Sequence, residues 1–179
     1  MTATRSYGCA DAFLTEQVVS APMLMRLATP RSLLTDPPAR TFDVHLAQLT
    51  MTIKLTGEEP DWLYGTIQTM QHLSRLPANW SSYGSRRIED VALIGAARML
   101  ASLLGPQSAP PSVVPTLHGG VQLAWHRNGT DVELEFSPDG AVSYVYTYDR
   151  PTDVTWEPEA VTADVLQRLR TMINRLGQH

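Results

Sequence analysis

Three turn signals within one stretch constrain this chain more than any other feature. Gly119-Gly120, Asn128-Gly129 and Ser137-Pro138-Asp139-Gly140 separate runs in which apolar and polar residues alternate. Asn-Gly suits a two-residue hairpin because both positions tolerate positive φ. Pro-Asp-Gly suits a type I turn that ends on a left-handed glycine. Between the turns, Val121, Leu123 and Trp125 alternate with Gln122, Ala124 and His126, and Val132, Leu134 and Phe136 with Asp131, Glu133 and Glu135. Val142, Tyr144, Tyr146 and Tyr148 then alternate with Ser143, Val145 and Thr147. Successive strand side chains point to opposite faces. Residues 112–148 are thus predicted to form an antiparallel four-strand meander with one apolar face. The alternation sets the tyrosines at the core or its edge.

The remaining patterns supply helices to cover that face. Leu63, Ile67, Met70 and Leu73 mark one side of a helix from Asp61 to about Arg75, with Pro60 in its first turn. Ile88, Val91, Ile94, Leu100 and Leu104 mark a second, with Ser85 as its cap and Glu89 in its first turn. Gly105-Pro106 stops it. Val161, Val165, Leu169, Met172 and Leu176 space a terminal helix over 159–177. Residues 149–158 read as a loop. Alternation over 41–56, with a slip near Ala47-Gln48, reads as one bulged strand or two short ones. Pro22, Pro30, Pro37 and Pro38 leave residues 1–40 as an irregular arm, with at most a short helix over Phe13–Val19. The expected fold is α+β: one domain over 41–179, built of the strand or strands at 41–56, a helical pair at 60–105, the meander and the last helix.

A chain of 179 residues can bury a core without staples. Hydrophobic residues make up 43% of it, which argues against wholesale disorder. The net charge of −4 lacks the footprint of a general nucleic-acid binder. Residues 111–179 are the acidic part, with Arg outnumbered by Asp and Glu. Cys9 is the lone cysteine, so no intrachain disulfide can form. No apolar run is as long as a membrane span and no signal peptide is evident, so the expected location is cytoplasmic. The preference for arginine over lysine suggests a GC-rich bacterial genome.

No phosphate loop, dinucleotide fingerprint, nucleophile elbow or zinc motif occurs. Neither a cofactor nor a metal site is therefore expected. Four groups of residues still invite chemistry. Gln122, His126, Glu133 and Glu135 should share the outer sheet face. There the Asn-Gly hairpin could bring His126 close to Asp131 or Glu133, and a His beside carboxylates is part of a solvated surface, a general base or a ligand for a divalent metal. Asn79, Trp80 and Tyr83 sit in an interhelical loop, as a loop anchor or as recognition residues. Tyr144, Tyr146 and Tyr148 could stack on ligand bases or pack beneath the last helix. Arg86 and Arg87 stand at a helix start, where the dipole does not favour cations, and so could meet an acidic partner or phosphate.

The loop Leu76-Pro77-Ala78-Asn79-Trp80-Ser81-Ser82-Tyr83-Gly84 resembles bacterial proteins carrying a Leu-Pro-x-Asn-Trp-x-x-Tyr-Gly motif. In that family a segment like Pro115-Thr116-Leu117-His118-Gly119-Gly120-Val121-Gln122-Leu123-Ala124-Trp125 follows, then a strand like Val132–Phe136 and an Asp-Gly turn. The resemblance spans about residues 70–147. It implies a small accessory protein of bacterial and mobile-element gene neighbourhoods. Ser81 stands where the pattern commonly has an acid, and Ala124 where it commonly has Glu.

Three functions follow as expectations. The first is a non-catalytic interaction protein: an antitoxin, an immunity protein or an accessory subunit of a bacterial defence or toxin system. Its partner would be a protein encoded nearby, or another copy bound through the N-terminal arm. The second is a small enzyme using His126 with Glu133 or Glu135, metal-assisted or not. The third is a small-ligand or nucleotide sensor built on Trp80, Tyr83, Arg86 and Arg87.

Overall fold

The computed structural model describes residues 18–20 and 39–177. Nearly all of the arm, including Cys9, lies outside the described residues. The elements in chain order are β1 (Val18–Ser20), β2 (Arg40–His45), β3 (Thr50–Leu55), α1 (Leu63–Ser74), α2 (Asp90–Leu103), β4 (Ser112–Pro115), β5 (Val121–Arg127), β6 (Thr130–Phe136), β7 (Val142–Asp149), β8 (Val154–Trp156) and α3 (Ala163–Leu176). The fold is α+β. No described helix is long and apolar enough to cross a membrane.

The main sheet has five strands in the order β4-β5-β6-β7-β8, each antiparallel to the next. The expectation of four strands is therefore corrected. Residues 154–156 form a short edge strand in what reads as a loop, because three residues are too few to show alternation. The turns do what their residues allow. Asn128 (φ 54°) and Gly129 (φ 75°) both take positive φ, which matches the twist of the flanking strands.

A second, three-stranded sheet has the order β1-β3-β2. Strands β2 and β3 form an antiparallel hairpin, so 41–56 is two strands joined by a tight turn closed by Leu46 N–H to Leu49 O (2.9 Å). Strand β1 pairs with β3 in parallel, and Val18 and Val19 are therefore strand, not helix.

Helix α2 touches both sheets and organises the core. Its buried face is Ala92, Leu93, Ala96, Ala97, Leu100 and Leu103. The expected stripe through Val91 and Ile94 is rotated: Val91 is exposed and Ile94 only half-buried. Small alanines let the helix lie close to its neighbours, which outweighs the larger β-branched residues on the other side. Gly95 shows how close, since a Cβ there would stand 2.3 Å from the carbonyl oxygen of Gly140 in the β6–β7 turn. Full burial of side chains such as Leu93, Leu123 and Leu134 contributes about 1.5–3 kcal/mol each.

Helix α2 also begins later than its sequence suggests. Ser85 does not cap it; its Oγ accepts the Ser81 N–H (3.1 Å). Residues 86–89 instead run extended along the β4–β5 turn, with Arg86 N–H bonded to Leu117 O and Glu89 N–H to Gly119 O (both 2.9 Å). Arg86 and Arg87 are consequently not at a helix start. Helix α3 is capped as Ser/Thr caps generally are, by Thr162 Oγ1 accepting the Val165 N–H.

Candidate interaction face

The two faces of the main sheet differ sharply. On β5 and β6, Val121, Leu123, Trp125, Val132, Leu134 and Phe136 are buried toward α2 and α3. Gln122, His126, Asp131, Glu133 and Glu135 point the other way and keep contact with water. The hairpin register sets them in pairs, His126 opposite Asp131 and Gln122 opposite Glu135. His126 Nδ1 lies 2.9 Å from Asp131 Oδ1, and its Nε2 lies 3.7 Å from Glu133 Oε1. Gln122 Nε2 donates to Glu133 Oε2 at 2.7 Å.

Strand β7 adds the tyrosines to this same outer face, against the expectation that they pack at the core. The reason is a bulge. Glu135 pairs with Tyr144 and Phe136 with Val142, so Ser143 is an extra residue in the ladder. Val142 faces inward before the bulge; beyond it Val145 and Thr147 are the buried residues. Tyr144, Tyr146 and Tyr148 stand opposite Glu135, Glu133 and Asp131. Tyr144 and Tyr146 are stacked, with centroids 6.4 Å apart and planes 11° from parallel. Partial burial, with the charges of Glu157 and Glu133, pushes the Tyr144 phenol up from its ordinary value. The Tyr148 hydroxyl donates to Asp153 Oδ1 (3.2 Å), and this bond, more than burial, raises its phenol as well. The face is thus a row of aromatic rings bordered by carboxylates.

The loop residues serve a different purpose. Asn79 takes φ 62°, accepts the Gly84 N–H on its Oδ1 (2.7 Å) and donates its own N–H to Ser85 O (2.7 Å). Trp80 is half-buried against the core and its Nε1 donates to Arg86 O (3.1 Å). Arg87 Nη2 donates to Ser74 O (3.3 Å). These contacts lock the loop to itself and to α1. Tyr83, at 88% exposure, and the exposed Arg86 face water with no side-chain hydrogen bond among the described residues. None of these residues hydrogen-bonds to the carboxylates around His126, so the structure does not join the two groups of candidates.

Sequence reasoning located Gln122, His126, Asp131, Glu133 and Glu135 on this face but missed the tyrosines, Asp153 and Glu157 as parts of the same surface. Nothing in the alternation of β7 marks Ser143 as a bulge. Among the described residues, no group of three or more His, Cys, Asp or Glu is arranged to hold a metal ion. Compared with protein-family models, with curated proteins and with solved structures, the chain matches none.

Proposed function

We propose that this chain is a non-catalytic interaction protein that docks a basic partner protein on the outer face of its main sheet. An antitoxin, immunity protein or accessory subunit acting in a bacterial cytoplasm is the class of role this suits. The observation that carries the reading is the stacked Tyr144–Tyr146 pair set in register against Glu135 and Glu133 on an exposed face. Aromatic faces attract guanidinium and ammonium groups, and flanking carboxylates add charge-assisted hydrogen bonds. An acidic surface also steers a basic partner and rejects acidic ones. Tyrosines are suited to the purpose because they offer contact area at small cost in rotamer entropy.

The test is co-purification and calorimetric titration with the product of the adjacent gene, beside an arginine-rich peptide as a defined probe. Binding should weaken as salt rises. It should also fall about tenfold or more in Tyr144→Ser/Tyr146→Ser, a variant that leaves the charge unchanged. Binding indifferent to those two substitutions would refute the docking face, since general acidity would then explain it.

A second reading rests on one observation, the Asp131–His126 hydrogen bond, which could orient the ring as a general base. On that reading the chain is a small enzyme, and His126→Gln would abolish turnover.

A further inference from the structure

On the opposite face of β7 from the tyrosines, the β7–β8 hairpin and α3 line an open groove of about 480 Å³. Its lining includes Asp149, Thr152 and Val154 from the hairpin, and Arg168, Met172 and Arg175 from α3. That volume lies within the range of small-ligand sites, about 300–1,000 Å³. Its chemistry is unlike that of the outer face. Arg168 and Arg175 are seven residues apart on one helix, two turns along the same side.

The way this region uses its arginines is informative. Arg127 Nη1 donates to Leu176 O (3.4 Å) and Arg170 Nη2 donates to Ser102 O, so both spend donors on the backbone. Among the described residues, Arg168 and Arg175 make no hydrogen bond or ion pair. Arg168 is nevertheless held in place, its guanidinium carbon 4.2 Å from the centre of the Trp156 ring. Stacking fixes the plane of the fork while leaving its edge N–H groups unused.

Asp149 is the one carboxylate lining the groove, and its oxygens are already engaged. The Thr130 hydroxyl donates to Oδ1 (2.9 Å) and the Thr152 hydroxyl to Oδ2 (3.0 Å). Those bonds, with the charge of Arg175, hold its carboxyl below the ordinary aspartate range. It therefore buttresses the turn and leaves the groove with a surplus of positive charge. Val154 and Met172 supply an apolar wall.

We propose that this groove binds a small oxyanion, a carboxylate or phosphate group carried on a compact organic molecule, with Arg168 and Arg175 as its donors. The site lies on the opposite face of β7 from the docking surface, and the chain would then join partner binding to the sensing of a small acidic metabolite.

The test uses the full chain, labelled with nitrogen-15, titrated separately with inorganic phosphate and with citrate at constant ionic strength. Saturable shifts confined to the amides of residues 149–156 and 163–176 are expected with at least one anion. The anion that saturates first tells phosphoryl from carboxyl preference. Arg168→Gln and Arg175→Gln should each weaken binding about tenfold, the loss of one charge-assisted contact. Arg168→Lys should also weaken it, since an ammonium cannot reproduce the stacked fork. Should a glutamine variant fail to fold, Thr171→Glu at an exposed position of α3 places a repelling charge in the groove and should abolish the shifts. No saturable shift with either anion up to about 50 mM, well above the millimolar affinity expected of two such contacts, would overturn the proposal. So would shifts that persist unchanged in the variants.

Discussion

Asp90 shows how much one side chain can carry. It sits in the first turn of α2, 5% exposed, and its Oδ2 accepts the N–H groups of Gln48 (2.5 Å) and Leu49 (2.8 Å). It thereby ties the β2–β3 turn to the start of the central helix, where the dipole favours an anion. Asp90→Ala strands two backbone donors in a partly buried place, and a loss of about 2–4 kcal/mol is expected in urea denaturation. Asp90→Asn keeps an acceptor and should lose less. Acid sensitivity is expected from Asp149, whose carboxyl is held low first by Thr130 and then by Thr152. A carboxylate with a lowered folded value stabilises the protein fully above its unfolded value. That share is lost as pH falls through the lowered folded one. Asp149→Asn should therefore reduce stability at neutral pH and flatten the stability–pH curve below the ordinary aspartate value of 3.8.

At the scale of elements, close approach and strand phase decide the outcome. Helix α2 and the β6–β7 turn interlock at two glycines, since a Cβ on Gly140 (φ 83°) would likewise stand 2.7 Å from Val91 O. Gly95→Ala gains about 1 kcal/mol in helix propensity. It must, however, push backbone away from backbone, which costs about 1–3 kcal/mol. A net fall in the urea midpoint is the expected result, and a rise would mean that the turn yields freely. The bulge in β7 makes a different prediction. Because Val142 and Tyr144 already pair with neighbouring residues of β6, deleting Ser143 restores a regular ladder without turning the tyrosines inward. The deletion variant should fold, and its tyrosines should remain open to iodination. Tyrosines lost from the surface would show that the register had slipped.

For the molecule as a whole, α2 is the common wall of two sheets. Leu93 and Leu100 are almost completely buried on it, and the apolar core runs without a break from β3 through α1 and α2 to β5 and β6. Leu93→Ala should cost about 2–5 kcal/mol, the usual range for a leucine cavity. Both sheets depend on the same helix. Fluorescence, which reports Trp62 beside α1, Trp80 in the interhelical loop, Trp125 on β5 and Trp156 on β8, should therefore follow one unfolding transition that coincides with far-ultraviolet circular dichroism. Two separated transitions would mean that the small sheet melts alone. Charge is also distributed at this scale, with the carboxylate-rich face and the Arg168–Arg175 groove at different places on the main sheet.

What was legible in the amino-acid order is what local chemistry decides. Asn128-Gly129 and Asp139-Gly140 specify turns because few other residues accept those dihedrals. The strict alternation of β5 and β6 specifies an inner and an outer face, and with them the positions of Gln122, His126, Glu133 and Glu135. The spacing in α1 and α3 identifies their buried sides. Tertiary contacts decided the rest. The rotation of α2 depends on which neighbours come close enough to need alanine. The start of that helix depends on residues 86–89 finding partners in a turn far along the chain. The tyrosines face outward because one residue of β7 finds no partner on β6. The groove exists because α3 and the β7–β8 hairpin come to line one space. Each of these is a relation between segments distant in sequence, and no local pattern encodes the energy of such a contact.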